Sequence, residues 1–457
     1  MVIPFKITIG NVCSLLENIR FIGLLAGFTS FGKIRILGSL GMVYPASVFV
    51  PSPPTYSGER QEELYSSQSL WARLVISLGL LGLLFLVGCP TREEYHPPDL
   101  IYHYIDIPVG KNPTSIRASD FNGDGFTDLI TSNIQGNSLS LLLGKGDGSF
   151  QDQKTISACQ EPRNVAVDDF NLDHVPDFVV ACSGDNHALV FLGQGDGTFL
   201  RGAQYLVHRT PVSIATGDFN EDFLPDLAVA LRNDKIQILL GMGNGKFRLG
   251  PLYEYGDTPT SVATEDLNGD KHLDLAVTNG GPMSHAVSIW LGLGDGTFKA
   301  PTDYRTGKRP LGVSFADFNI DRALDLLVIN GEMNTITVFL GNGDGTFQEG
   351  RESGGDAGPN FGVAQDFDGD KVPDVAVANI QSGSISLLFG KGDGTFQYPP
   401  RDYPTPHAPF ALTTLSIATD RGEEPGLAVV NNASSNVSIF LHHGLNIRKG
   451  QLSATPS

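Results

Sequence analysis

The chain has 457 residues, of which 41% are hydrophobic and 18% charged, with a formal net charge of −19 and a sequence pI near 4.8. That acidity argues against a nucleic-acid partner, whose phosphates require a basic footprint. Four cysteines, Cys13, Cys89, Cys159 and Cys182, exclude a disulfide-dense scaffold and a CxxC zinc site.

Residues 1–50 show no sustained helical or strand period, and 51–69 are polar with prolines. Residues 1–69 are therefore expected to be a non-native or disordered extension. Residues 74–87 form an apolar run of 14 preceded by Arg73, short of the roughly 20 that a membrane span needs. The run ends in Leu86-Val87-Gly88-Cys89, which resembles the lipobox of bacterial lipoproteins. The resemblance implies a signal peptide over 70–89 and lipid on Cys89, giving an extracytoplasmic, membrane-anchored protein at the outer membrane or cell surface. Translation is then expected to begin shortly before Trp71, and Cys13 to be missing from the mature protein. Residues 90–99 read as a linker and 446–457 as a disordered tail.

Beyond residue 100 a nine-residue pattern recurs: D-F-N-G-D-G-F-T-D at 120–128, then copies starting at Asp169, Asp218, Asp266, Asp317 and Asp366, spaced 48 to 51 residues apart. A period near 50 predicts a repeat architecture. Each unit reads as four short strands. One leads into the aspartate loop, as at 114–118. A second follows it, as at 227–230, and a polar turn leads to a third, as at 138–143. A G-x-G-D-G-T-F hairpin then introduces a more polar fourth; Asp-Gly and Asn-Gly between apolar runs are strong turn signals. No segment after residue 90 has a convincing helical period.

Four antiparallel strands per repeat describe a propeller blade. A seventh, eroded unit enters at Leu415–Asp420, has its second strand at 426–430 and its third at 437–441, and lacks the aspartates. Its missing fourth strand is expected at 101–109, so that the two ends of the chain pair and leave no open sheet edge. The predicted fold is an all-β, seven-bladed β-propeller over 100–445.

In each intact loop, side-chain oxygens stand at positions 1, 3, 5 and 9: Asp120, Asn122, Asp124 and Asp128; Asp169, Asn171, Asp173 and Asp177; Asp218, Asn220, Asp222 and Asp226; Asp266, Asn268, Asp270 and Asp274; Asp317, Asn319, Asp321 and Asp325; Asp366, Asp368, Asp370 and Asp374. Hard oxygen donors at this spacing, completed by a backbone carbonyl at position 7 and water, suit Ca²⁺. The loops are not EF-hands, since five lack glycine at position 6 and none has glutamate at 12. Six bound Ca²⁺ would leave a net charge of about −7 from the −19 of the chain. Turn propensity alone would not place aspartate at 1, 5 and 9 six times. The ion is expected to be structural. Eleven of the 27 phenylalanines fall after the first loop aspartate or at the end of the hairpin motif, where inter-blade core is the simplest role.

Alternating strand directions put the aspartate loops and hairpins on one face, and the second-to-third turns and blade connectors on the other. Cys159 and Cys182 fall at the same end of neighbouring strands, where a disulfide or two buried thiols are both open readings. The connectors differ from blade to blade, and irregular loops on a rigid scaffold are where binding concentrates. Arg209, Tyr255, Arg305 and Arg309 are the candidates on that face. No Ser-His-Asp set, H-E-x-x-H or phosphate loop is present, so no catalytic role is expected.

The D-x-[ND]-x-D-x-x-x-D loop with L-G-x-G-D-G-T-F resembles the FG-GAP/VCBS repeat family, which includes the integrin alpha head and many bacterial surface proteins. The resemblance covers about 100–445. It implies a calcium-binding propeller with ion ligands at the four positions of each intact loop, acting in adhesion, in carbohydrate binding or as a non-catalytic module of an enzyme system. The expectation is a monomeric module for a protein or glycan ligand. A lectin, or a scaffold of a polysaccharide-processing system, is the alternative.

Overall fold

The computed structural model describes residues 31–33, 49–51, 103–281, 284–419 and 422–441, which contain thirty strands numbered in chain order and no helix. The chain divides into two units, 1–95 and 96–457. In the first, β1 (Phe31–Lys33) pairs antiparallel with β2 (Phe49–Pro51), a pairing that the lack of period over 1–50 did not suggest. The expected extension is otherwise outside the described residues, as are the lipobox with Cys89, the linker and the C-terminal tail.

The second unit is built of seven four-stranded antiparallel sheets. In the first blade β4 (Pro113–Ser119), β5 (Asp128–Asn133), β6 (Ser138–Leu142) and β7 (Lys154–Ser157) pair in chain order. The innermost strands of the other blades are β8 (Pro162–Asp168), β12 (Pro211–Gly217), β16 (Pro259–Glu265), β20 (Pro310–Ala316), β24 (Pro359–Gln365) and β28 (Pro409–Thr419). They neighbour one another in sequence, and β28 packs against β4, so the blades close into a ring. Every inner strand starts with proline, the position at which a strand tolerates a missing N–H. The residue before that proline is left-handed in all seven connectors, from Asn112 at φ 60° to Ala408 at φ 53°.

Second strands such as β5 are buried at every residue because both faces meet a neighbouring blade. Seven apolar clusters result, one at each junction: Phe170, Val179 and Val190 with Ile214, Leu227 and Phe247 exemplify that between the second and third blades. The last junction joins Ile439 and Ala428 to Ile116 and Leu129.

Closure follows the sequence expectation. β3 (His103–Pro108) pairs antiparallel with β30 (Asn436–Leu441) as the outer strand of the seventh blade. Here the structure refines one boundary: the inner strand β28 begins at Pro409, six residues before the expected entry at Leu415, and β29 (Gly422–Asn431) is correspondingly long. Without an aspartate loop to terminate them, the two strands run on as one ladder to Thr419↔Gly422.

Candidate functional site

The aspartate loops have one shared geometry. In the first, Asp120 accepts the N–H groups of Gly123 at 2.8 Å and Gly125 at 2.8 Å on its two oxygens. Asn122 accepts from the Asp124 N–H at 3.0 Å and its amide donates to the Asp124 carboxylate at 2.8 Å, while Asp124 accepts from the Phe126 N–H at 2.9 Å. Asp128 is fully buried and bridges two segments: it accepts from the Phe121 N–H at 2.9 Å and from the Gly144 N–H at 2.7 Å. The same bridge recurs at Asp177, Asp226, Asp274, Asp325 and Asp374.

The aspartate loop and the glycine hairpin are therefore one unit, which the sequence reading treated as two. Glycine at the head of the hairpin is required by close approach: a β-carbon on Gly144 would stand 2.2 Å from the Thr127 carbonyl oxygen. The unit also reaches the next blade. Gly197 of the second hairpin donates its N–H to the Phe121 carbonyl of the first loop at 3.2 Å, and Gly245, Gly296, Gly345 and Gly394 repeat the bond. Beneath it the two repeated phenylalanines meet edge to face, Phe170 with Phe247 at 5.3 Å and Phe219 with Phe298 at 5.5 Å. The tyrosines were not legible as partners: Tyr205, Tyr253 and Tyr304 each accept the backbone N–H of the next hairpin's phenylalanine.

Positions 4 and 6 of every loop are left-handed, including Leu172 (φ 62°), Phe223 (φ 65°) and Ile320 (φ 59°). Side chains rarely adopt that backbone, so the aspartate hydrogen bonds hold the loop against strain. Burial, then the nearby like charges of positions 5 and 1, pushes Asp128, Asp177, Asp226, Asp274 and Asp325 up to about 6. Burial and the charges of Asp368 and Asp370 push Asp374 up to about 7. In that sixth loop Asp366, Asp368 and Asp374 offer oxygens lying within 4.8 Å of one another. All donors are hard oxygens with no nitrogen or sulfur among them. Converging carboxylates of this kind, with Asp374 fully buried among them, fit a divalent cation such as Ca²⁺.

On the opposite face the second-to-third turns bond to the connectors, for example Ile134 N–H to Asn112 O and Ser183 N–H to Glu161 O. Cys159 and Cys182 are joined there by a disulfide. The four candidates do not form one cluster. Arg209 and Arg305 are exposed. Tyr255 is half-buried edge to face against Trp290 at 5.3 Å and donates its hydroxyl to Asp303 at 2.8 Å; burial, then this partner, pushes it up to about 12. Arg309 is exposed at the rim of the central channel, a cavity of about 960 Å³ bordered by the inner strands. Arg117, Arg163 and Arg232 border it too. The sequence reading missed these three, although each stands where the other repeats mostly carry uncharged residues.

A family model described as an FG-GAP-like repeat matches residues 120–180, 169–229, 218–277 and 266–328. This part of the chain carries FG-GAP-like repeats. Each match runs from the first aspartate of one loop into the second strand of the next blade, so the FG-GAP repeat spans a blade junction. No curated protein sequence matches the chain. Among solved structures, BBS1N in complex with ARL6DN is similar in fold: its mercury-soaked crystal has a TM-score of 0.54 at 12% identity, covering 75% of this chain and 98% of that one. The lead-soaked crystal has a TM-score of 0.51 at the same identity and coverage. A lectin of Agrocybe aegerita that recognises non-reducing terminal N-acetylglucosamine has a TM-score of 0.45 at 17% identity, covering 66% of this chain and 80% of that one.

Proposed function

We propose that this FG-GAP propeller is a calcium-stabilised, membrane-anchored, extracytoplasmic binding module that takes a protein or glycan ligand through its connector face. The supporting observation is the difference between the faces. Five of the six aspartate loops accept a backbone N–H from a glycine of the next hairpin, on a phenylalanine carbonyl in four and on that of Leu267 in the other, which makes that face framework. The connectors carry unlike side chains from blade to blade, and variable loops on a rigid scaffold are where recognition concentrates. Asp128 and its five equivalents would hold Ca²⁺ with the residues at positions 1, 3 and 5, and the ion would neutralise their mutual repulsion. The reading is non-catalytic. Lipid on Cys89 would supply the anchor.

Each part has its own test. Calorimetric titration of Ca²⁺ into chelator-treated protein should give about six sites; an absence of heat would remove the ion from the reading. Cys89→Ala should move the protein from the membrane to the soluble fraction, and unchanged fractionation would dismiss the lipid anchor. Photo-crosslinkers placed at Arg209 and Arg305 should capture a surface component on native cells, whereas crosslinkers at Phe223 on the loop face should not. The reverse pattern would overturn the assignment of faces.

A further inference from the structure

The central channel departs from the charge of the chain around it. The sequence carries −19 overall, yet Arg117, Arg163, Arg232 and Arg309 all border this cavity of about 960 Å³, against Asp168, Asp169 and His174. Arg163, Arg232 and Arg309 lie at the connector end, Arg117 stands further along β4, and the acidic set lies at the loop end. Arg163 and Arg309 flank the connectors at the start of β8 and β20, and Arg232 follows the second strand of the third blade, Asp226–Leu231. Asp168, Asp169 and His174 belong to the end of β8 and the loop after it.

The repeat supplies an internal comparison. The place of Arg117, fifth residue of the inner strand counting from its opening proline, is held elsewhere by Ala166, Ala215, Ala263, Ser314, Val363 and Thr413. The place of Arg163, directly after the strand-opening proline, is held by Thr114, Val212, Thr260, Leu311, Asn360 and Phe410. Small or uncharged residues satisfy the packing at both places, so arginine is not demanded by the fold.

Nor are these charges neutralised. None of the four arginines is in an ion pair within 4.0 Å among the described residues. Arg117 is half-buried and donates only to the Ile116 carbonyl, at 2.9 Å. Arg163 donates to Ser183 Oγ at 3.0 Å. Burial lowers its pKa below the ordinary value, with the Arg232 charge adding to that and Glu161 opposing it. A partly desolvated cation without a partner is costly, and a guanidinium presents a rigid fork of donors matched to oxyanions.

We propose that the connector-side mouth of the channel binds a small oxyanion-bearing ligand, a carboxylate, sulfate or phosphate, held by Arg163 and Arg232, with Arg117 deeper in the channel wall and Arg309 at the rim. The site rests on neither the calcium nor the lipid-anchor reading, and its failure would leave the connector loops as the recognition surface.

Thermal unfolding of the full chain in inorganic sulfate or sodium malonate, against chloride at equal ionic strength, tests it. The wild type should show a saturable rise in Tm. The Arg117→Gln/Arg163→Gln variant should lose the saturable component, yet unfold at a higher Tm than wild type in chloride, because unpaired charge has been removed. Arg248→Gln, at an exposed position outside the channel, should respond as wild type does. A larger response to sulfate or to malonate assigns a tetrahedral oxyanion or a carboxylate. Equal sulfate and malonate responses in wild type and the double variant, or a lower Tm of that variant in chloride, would overturn the site. Should the double variant not fold, the exposed Arg232→Gln alone must weaken the response several-fold for the site to stand.

Discussion

Ser438 Oγ donates a 2.6 Å hydrogen bond to Asp106 Oδ1 across 332 positions of sequence. The bond belongs to a relay found within single blades, where Asn279 bonds Ser288 and Ser288 bonds Asp303. In the seventh blade Asn431 bonds Ser438 in the same way, and only the acceptor comes from the other end of the chain. The seam is thus closed by the same chemistry that holds an ordinary fourth strand. Asp106→Ala should cost about 1.5–3 kcal/mol, the value of a hydrogen bond to a charged acceptor. Asp402→Ala removes the equivalent bond from Ser386 inside one continuous blade, and should cost less because that strand remains covalently tethered. Chemical denaturation of both variants measures the difference, and equal losses would show that the seam carries no special weight.

Calcium removal should lower Tm and its return should restore it. A ligand that binds only the folded state contributes about 2.7 kcal/mol per site at a hundred times its Kd. Asp374→Asn removes a fully buried carboxylate from the loop where three aspartates converge, and should reduce the calorimetric stoichiometry by one. An unchanged Tm on chelation would count heavily against the sites.

The metal-free protein should lose stability as pH rises from about 4 to about 7. Asp128 and its equivalents are raised from 3.8 to about 6, and Asp374 to about 7. Between these values the folded chain holds protons that the unfolded chain has released, so the stability they contribute is complete below the unfolded value and lost through the folded one. Calcium needs the ionised form, so its stabilising effect should grow over the same window. Calorimetric Tm measured against pH, with and without calcium, checks both slopes.

Ile320→Gly should stabilise the protein by about 1 kcal/mol, because a β-branched residue at a left-handed position carries strain that glycine does not. Ile320 is exposed at φ 59°, so little packing is lost in exchange. Equilibrium denaturation that finds the variant less stable would refute the strain.

Replacing both Cys159 and Cys182 with serine should cost about 3 kcal/mol, since the bridge closes a segment with sequence separation 23 and restrains the unfolded chain. Reductant should lower the Tm of the wild type and leave the double variant unmoved.

Much of the architecture was legible because each repeat states its own turns. Asp-Gly pairs mark the hairpins, and the 49-residue spacing of Asp120, Asp169 and Asp218 marks the blades. The entry of the seventh blade was misplaced by six residues because it was aligned on the aspartates it lacks, when Pro409 was the surviving landmark. Tyr255 looked like a surface candidate because its connector is irregular; its packing on Trp290 and its bond to Asp303 involve residues 35 and 48 positions away.

By itself the sequence determined the strand order, the number of blades, the oxygen-rich loops and the pairing of the chain ends, because these follow from local turn chemistry repeated at a constant period. Tertiary structure decided what a repeat cannot encode within itself. It joined Asp128 to Gly144, fastened five of the six loops to the neighbouring blade, and brought Arg117, Arg163 and Arg232 to one channel. Those relations depend on how successive blades are rotated about a common axis, a quantity set by the packing of apolar faces and not by the order of residues along any one strand.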